Sequence, residues 1–327
     1  MPRSAVRAGT LGLLAFAVLS LGLALRAPLT TTAVALMVFG VLHNVLELRY
    51  IGGRFSALLG RPLLQLLVAL ITGIVLVRLV GAAFGLAWTV RAEIVLTYGI
   101  LGTATWWGLR RYRWAALAGA VVLSGALAAS LTWPSYHVVV ITHLHNLVPL
   151  AFLWEFSRAF TRRARTLFLA VQLSWVVLVP AVMLSGLLDR WMAGTAGTVR
   201  TFAAIPQVVA AGTTLPGTWG TTVGIRFLTV FAFLQLMHFV VWVFFLPRYA
   251  PATTAAFERR VPWLRGWRTW ALGLGAGAAL LLLFVVDYGQ GRTVYSALAS
   301  YHAYLELPVL VVMLLSFGVV RVAGTPR

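Results

Sequence analysis

The chain contains no cysteine, which excludes disulfides, thiolate metal sites, iron–sulfur clusters and cysteine nucleophiles. It contains no lysine either: all 26 basic residues are arginines. A phosphate-cradling glycine loop ending in lysine is therefore absent, as are the GxSxG and HExxH patterns of soluble hydrolases. Acidic residues number only seven in 327, and charged residues of all kinds make up 10%. The run GLGAGAAL, residues 273 to 280, has glycines at a dinucleotide-like spacing. It sits inside an apolar stretch with no strand before it, so it reads as close helix packing.

What remains is strongly apolar. Hydrophobic residues make up 61% of the sequence, and the mean hydropathy is +0.93. That composition belongs to a polytopic membrane protein. The net charge of +19 does not point to nucleic acid, because the arginines cluster at the ends of apolar runs and form no basic stripe with stacking aromatics. They are assigned to membrane topology and lipid headgroups.

Read in order, the sequence predicts an all-α transmembrane bundle of ten spans in a single integral membrane domain, residues 1–327. The first apolar run, near residues 8 to 25, lacks a good small-residue cleavage site and is taken as a retained helix. The following spans run over residues 29–49, 63–79, 92–109, 115–133, 134–158 and 166–187. A Gly- and Thr-rich stretch, 188–224, is the longest loop, and its part TVRTFAAIPQVVAAG is expected to lie flat at the interface. The last three spans begin near Arg226, Thr269 and Val294. With the N-terminus in the cytoplasm, 19 of the 26 arginines fall on the cytoplasmic side, so both termini are expected there, in a bacterial inner membrane. The 188–224 loop is then external and a candidate lid.

All six histidines lie inside apolar spans and none in a long loop. An imidazole in hydrocarbon is costly unless it faces a polar interior, so this placement points to a buried site. His43 with Glu47, and His302 with Glu306, repeat a spacing of four, which puts an imidazole and a carboxylate on one helical face. The bland reading of each pair is a hydrogen bond between helices. His238 is a third candidate. His143 and His145 are about 200° apart around their helix, so one of them at most faces a given small site. Asn44 and Asn146 are placed to orient imidazoles. His137, near the outer end of its span, is expected to be interfacial. At about 1.5 Å per residue, His145, His238 and Glu306 stand about 20, 15 and 22 Å above the next cytoplasmic arginine. His43 stands about 9 Å above Arg49, or about 16 Å above Arg54 if its helix continues, and His302 about 28 Å above Arg321. The candidate metal ligands are thus His43, Glu47, His143, His145, His238, His302 and Glu306. Imidazole and carboxylate without sulfur suit Fe(II), with zinc, copper and manganese as other fits.

Intramembrane histidines with an acid one turn on, as in HNVLE at 43 to 47, MHF at 238 and YHAYLE at 301 to 306, with THLHN in a further span, resemble the bacterial membrane β-carotene cleavage oxygenases of the Brp/Blh type. The resemblance implies an iron held by intramembrane histidines that splits a polyene with dioxygen. The leading expectation is accordingly a membrane metal-dependent oxygenase or other oxidoreductase, with non-haem iron and a lipid-soluble substrate such as a carotenoid or isoprenoid. Two alternatives stay open: a haem protein or haem-modifying synthase with axial histidines, and a His/Glu relay that transports protons or metal.

Overall fold

The computed structural model describes residues 3–192 and 205–323, and among these every regular element is helical. In chain order the helices are α1 (Arg3–Arg26), α2 (Pro28–Arg54), α3 (Ser56–Phe84), α4 (Trp88–Leu109), α5 (Arg113–Thr132), α6 (Pro134–Leu147), α7 (Pro149–Phe156) and α8 (Arg162–Leu173). They continue as α9 (Val179–Leu184), α10 (Ile205–Thr213), α11 (Thr222–Phe239), α12 (Leu246–Tyr249), α13 (Pro251–Arg260), α14 (Trp267–Val286) and α15 (Tyr288–Ala323). Among the described residues nine segments are long and apolar enough to cross a bilayer: α1, α2, α3, α5, α6 with α7, α8 with α9, α11 with α12, α14 and α15. The chain is an integral membrane helical protein. Helix α4 has the length, 22 residues or about 33 Å. Arg91, Glu93 and its four threonines leave it less apolar than the other nine.

Proline and glycine set the breaks. Gly85 ends α3 in the left-handed region (φ 65), and its N–H closes on Gly81 O at 2.9 Å. Gly60 (φ 69) kinks α3 just ahead of Pro62. Two spans contain a stretch of π-helix, Ser174–Leu178 and Val240–Phe245, and each stretch ends two residues before a proline, Pro180 and Pro247. Proline offers no N–H to the carbonyl four residues back and crowds it, and the wider turn absorbs the mismatch. Helix α2 runs on through Arg54, past the end expected for its span at residue 49, so the larger of the two depths for His43 applies.

The chain divides into two compact units. The first comprises Met1–Glu47, Val138–Ala252 and Gly266–Gly291. Its centre is α11, where 83% of the most apolar window is buried and Leu228 through Gln235 are buried without a gap. A helix apolar all round has to be enclosed. Helices α1, α9 and α10 pack on it, and Phe152 meets Trp242 edge to face at 5.3 Å. Gly273 of α14 lies so close to α2 that an added Cβ would come 2.8 Å from Leu42, which is the close packing expected of the GLGAGAAL run. Of the stretch expected at the interface, residues 198–204 lie outside the described residues. The rest forms α10, packed on α11 with Val209, Ala210 and Thr213 buried rather than lying flat on a surface.

The second unit comprises Leu48–His137, Thr253–Arg265 and Arg292–Arg327. Helices α3, α4 and α5 pack in sequence, and α5 is the least enclosed span, with 6% of its window buried. Arg78 of α3 is the hub. Its Nε and Nη2 donate to the two oxygens of Glu93 on α4 (2.8 and 2.7 Å), and its Nη1 donates to Ser296 O and Ser300 Oγ on α15 (2.7 and 3.1 Å). Tyr304 of α15 donates to the same carboxylate. At another end of this unit Arg49 pairs with Glu258, and Arg260 donates to Gly52 O.

Candidate metal centre

Helix α2 presents His43 and, one turn on, Glu47. The His43 Nδ1 lies 3.1 Å from Phe39 O in the preceding turn. A carbonyl only accepts, so Nδ1 carries the proton and Nε2 is left with the lone pair that a metal needs. This is the backbone bond that typically fixes the tautomer of a ligating imidazole.

His238 comes from α11 and His145 from α6. The His238 ring is 5.2 Å from that of His43 and 4.5 Å from that of His145. One ring nitrogen from each of the three lies within 4.8 Å of the others. Glu47 approaches through His238, its Oε2 3.8 Å from His238 Nε2. His43, Glu47 and His238 are at most 1% exposed, and His145 is half-buried.

The distances fit two donors sharing an ion better than two donors sharing a proton. A separation of 3.8 Å exceeds any hydrogen bond. Metal bonds of about 2.1 Å place tetrahedral ligand atoms about 3.4 Å apart and opposed ones about 4.2 Å apart. The His238–Glu47 separation falls between these two values, so the buried group could hold an ion. Three imidazoles and a carboxylate without sulfur suit iron, zinc, copper or manganese.

The surroundings are dry on one side and polar on another. The Phe239 ring is 4.5 Å from that of His43 and tilted to it by 48°, Trp242 stands edge-on to His238 at 6.3 Å, and Leu42, Leu46 and Val243 form a buried apolar cluster beside them. Asn44, Asn146 and Gln235 are each at most 7% exposed. Asn44 Oδ1, Asn146 Nδ2 and Gln235 Oε1 have no hydrogen-bond partner among the described residues. Buried polar atoms are normally satisfied, so these call for a polar occupant nearby.

His143 donates from Nε2 to Thr213 O at 2.9 Å, with its ring edge-on to Phe227 and Phe231. Of the two histidines that could not share one small site, His145 is therefore the one beside His238. His137, expected at the interface, is instead buried in the second unit, with Nδ1 3.0 Å from Ser130 Oγ. His302 and Glu306 are buried on α15 of the second unit, one turn apart and just before Pro308.

Neither Arg78 nor Glu93 is among the candidate residues read from the sequence. Arg78 lies six residues inside the end of α3, about 9 Å along the axis. A charge of each sign inside consecutive apolar spans was the available signal. Compared with family models, with curated proteins and with solved structures, the chain matches none.

Proposed function

We propose that the chain is a membrane-embedded metal-dependent oxidoreductase, with His43, His145, His238 and Glu47 holding a divalent ion, best matched by ferrous iron. The observation that carries this reading is the His238–Glu47 approach at 3.8 Å, with His238 grouped with His43 and the half-buried His145. When bound, ferrous iron would supply activation of dioxygen. The residues of the chain do the rest. His43 is held to one tautomer by Phe39 O, the buried Glu47 supplies negative charge to offset the cation, and Phe239, Trp242 and Leu46 exclude water and offer a surface to a lipid-soluble substrate such as a carotenoid or isoprenoid. On their His-x-x-x-Glu spacing alone, His302 and Glu306 are proposed as further donors.

Crowding of the rings weighs against the haem alternative. Axial imidazoles on opposite faces of a haem iron hold their centroids roughly 6 Å apart, from metal–nitrogen bonds of about 2 Å plus the ring radii. The rings here are 4.5 and 5.2 Å apart. For the topology we propose ten spans, with α4 as the tenth and both termini on the cytoplasmic side of a bacterial inner membrane, from the distribution of arginines.

The test is metal analysis of the purified protein together with its absorption spectrum. Near-stoichiometric iron without a haem band is expected. A protein that purifies without metal and takes up none from ferrous iron, zinc or copper would make the cluster a hydrogen-bond network, and the oxidoreductase reading would be abandoned.

A further inference from the structure

His143 is not grouped with the three imidazoles, yet it has a definite long-range partner of its own. Its Nε2 donates to the carbonyl of Thr213 at 2.9 Å across 70 residues of sequence. Thr213 is the last residue of α10, and carbonyls in a final helical turn have no partner in their own helix. His143 therefore caps α10. Its ring is also wedged edge-on against Phe231 at 5.4 Å and Phe227 at 5.9 Å, one turn apart on α11.

These contacts fix how α6 is rotated. His143 and His145 are about 200° apart around the helix, so they flank the face that carries Thr142 and Asn146. Asn146 on that face is 3% exposed, while Leu144 on the opposite face is 40% exposed. Helix α6 thus sits astride α11, with His143 gripping Phe227, Phe231 and Thr213 on one flank and His145 meeting His238 on the other. Phe231 and His238, seven residues apart, lie on one stripe of α11. A roll of α6 that withdraws His145 also pulls His143 off Thr213. Ring nitrogens stand about 5–6 Å from the helix axis, so a roll of about 20° moves them by about 2 Å. Metal–ligand distances tolerate only about 0.2 Å.

We infer that His143 is a positioning residue: its hydrogen bond to the end of α10 locks the rotation of α6 and so presents His145 to the metal. The inference rests on the metal reading proposed above.

Cobalt(II) titration of the purified full chain in detergent tests it, read by affinity and by the visible spectrum of the bound ion. His143→Phe keeps the ring packing and removes the donor, whereas His143→Gln keeps an N–H near the position of Nε2. The expected result is a loss of about 10–100-fold in cobalt affinity with an altered spectrum for His143→Phe, and recovery of most of it in His143→Gln. In a His145→Ala background, His143→Phe should change the affinity by less than about twofold, because the residue through which it acts is gone. If His143→Phe does not fold, His143→Met, which also lacks the donor, carries the same expectations. Wild-type affinity and spectrum in the donor-less variant would overturn the inference, as would an equal further loss in the His145→Ala background. Loss of cobalt in the Phe and Gln variants alike would make His143 a ligand and overturn it as well. A wild type that takes up no cobalt would instead bring down the metal reading on which the inference rests.

Discussion

Glu47→Gln separates a metal site from a hydrogen-bond network more sharply than removal of a histidine. The side chain is 0% exposed and faces His238 at 3.8 Å. Glutamine has the same shape and an oxygen in the same place, but no charge. Four-donor sites bind structural zinc with about 10–16 kcal/mol, or about 2.5–4 kcal/mol per donor. Replacing an anionic donor with a neutral one is taken near the lower end, about 2.7 kcal/mol, which is roughly 100-fold in Kd. Metal that binds only the folded state adds RT ln(1 + [L]/Kd), so a 100-fold weaker Kd removes about 2.7 kcal/mol of metal-dependent stabilisation. Without a cation this contribution is not in play, so the change should cost the apo protein less than it costs the metal-bound form. Competition against a chromophoric chelator gives Kd, and thermal unfolding with and without metal gives the two stabilities. An unchanged Kd, or an apo form destabilised as much as the metal-bound form, would refute the assignment of Glu47 as a ligand.

Four further outcomes are expected. His302→Ala should deplete bound metal as strongly as His238→Ala, while His137→Ala should retain it, both read by metal analysis of the folded protein. Arg78→Leu should destabilise the chain by about 3 kcal/mol because it strands Glu93; the double change Arg78→Leu with Glu93→Leu should recover most of the lost thermal stability, and strictly additive losses would show that the pair is not coupled. Asp189 accepts from Arg226 Nε at 2.9 Å, and the hydrogen bond to that guanidinium holds its carboxyl below the usual carboxylate range. A depressed folded value means that the contribution is present above the unfolded value of about 3.9 and is lost as pH falls through the lower folded value; protease access to residues 185–192 should therefore stay flat from pH 8 to 5 and rise only below about 4, whereas Asp189→Asn should show the raised access at every pH. Reporter fusions at the C-terminus and near Gly217 should report opposite sides of the membrane, and a common side would sink the ten-span topology.

The helices were largely legible in the sequence because bilayer spans are long and their ends carry arginine and proline. Boundaries moved where those signals were ambiguous. Arg49 and Arg54 both flank the second span, and the helix passes the first to stop at the second. Glycines at 52 and 53 suggested a turn, but there the lack of side chains serves close packing, since an added Cβ on Gly53 would run into the backbone of Thr253. At the site, the periodic relation of His43 to Glu47 could be read directly, as could the exclusion between His143 and His145. Which of those two would meet His238 could not be read. That outcome depends on Thr213, 70 residues away, and on the face of α11 that α6 straddles. Arg78 and Glu93 were visible as charges in apolar runs, but their pairing across the α3–α4 hairpin depends on where α3 ends, and Gly85 sets that point.

The absence of lysine becomes intelligible at Arg78. Its guanidinium sends Nε and Nη2 to Glu93, Nη1 to Ser296 O and Ser300 Oγ, and Nη2 also toward Tyr304, so three helices share one planar group. An ammonium has three donors and no fork, and it could not hold both carboxylate oxygens while reaching α15. Elsewhere arginine lies over indole faces, Arg110 at 4.3 Å from Trp107 and Arg190 at 3.8 Å from Trp191, where the flat and weakly hydrated guanidinium is again the better partner. Glu93, Asp189 and Glu258 are taken up by arginines in this way, and Asp287 accepts the Gln290 N–H at the start of α15. The cations thus act as braces with fixed geometry. The carboxylate of Glu47 is placed among imidazoles instead, groups that offer a lone pair rather than a permanent charge, and that difference in partner is what distinguishes a site able to take up a cation from one that already contains one.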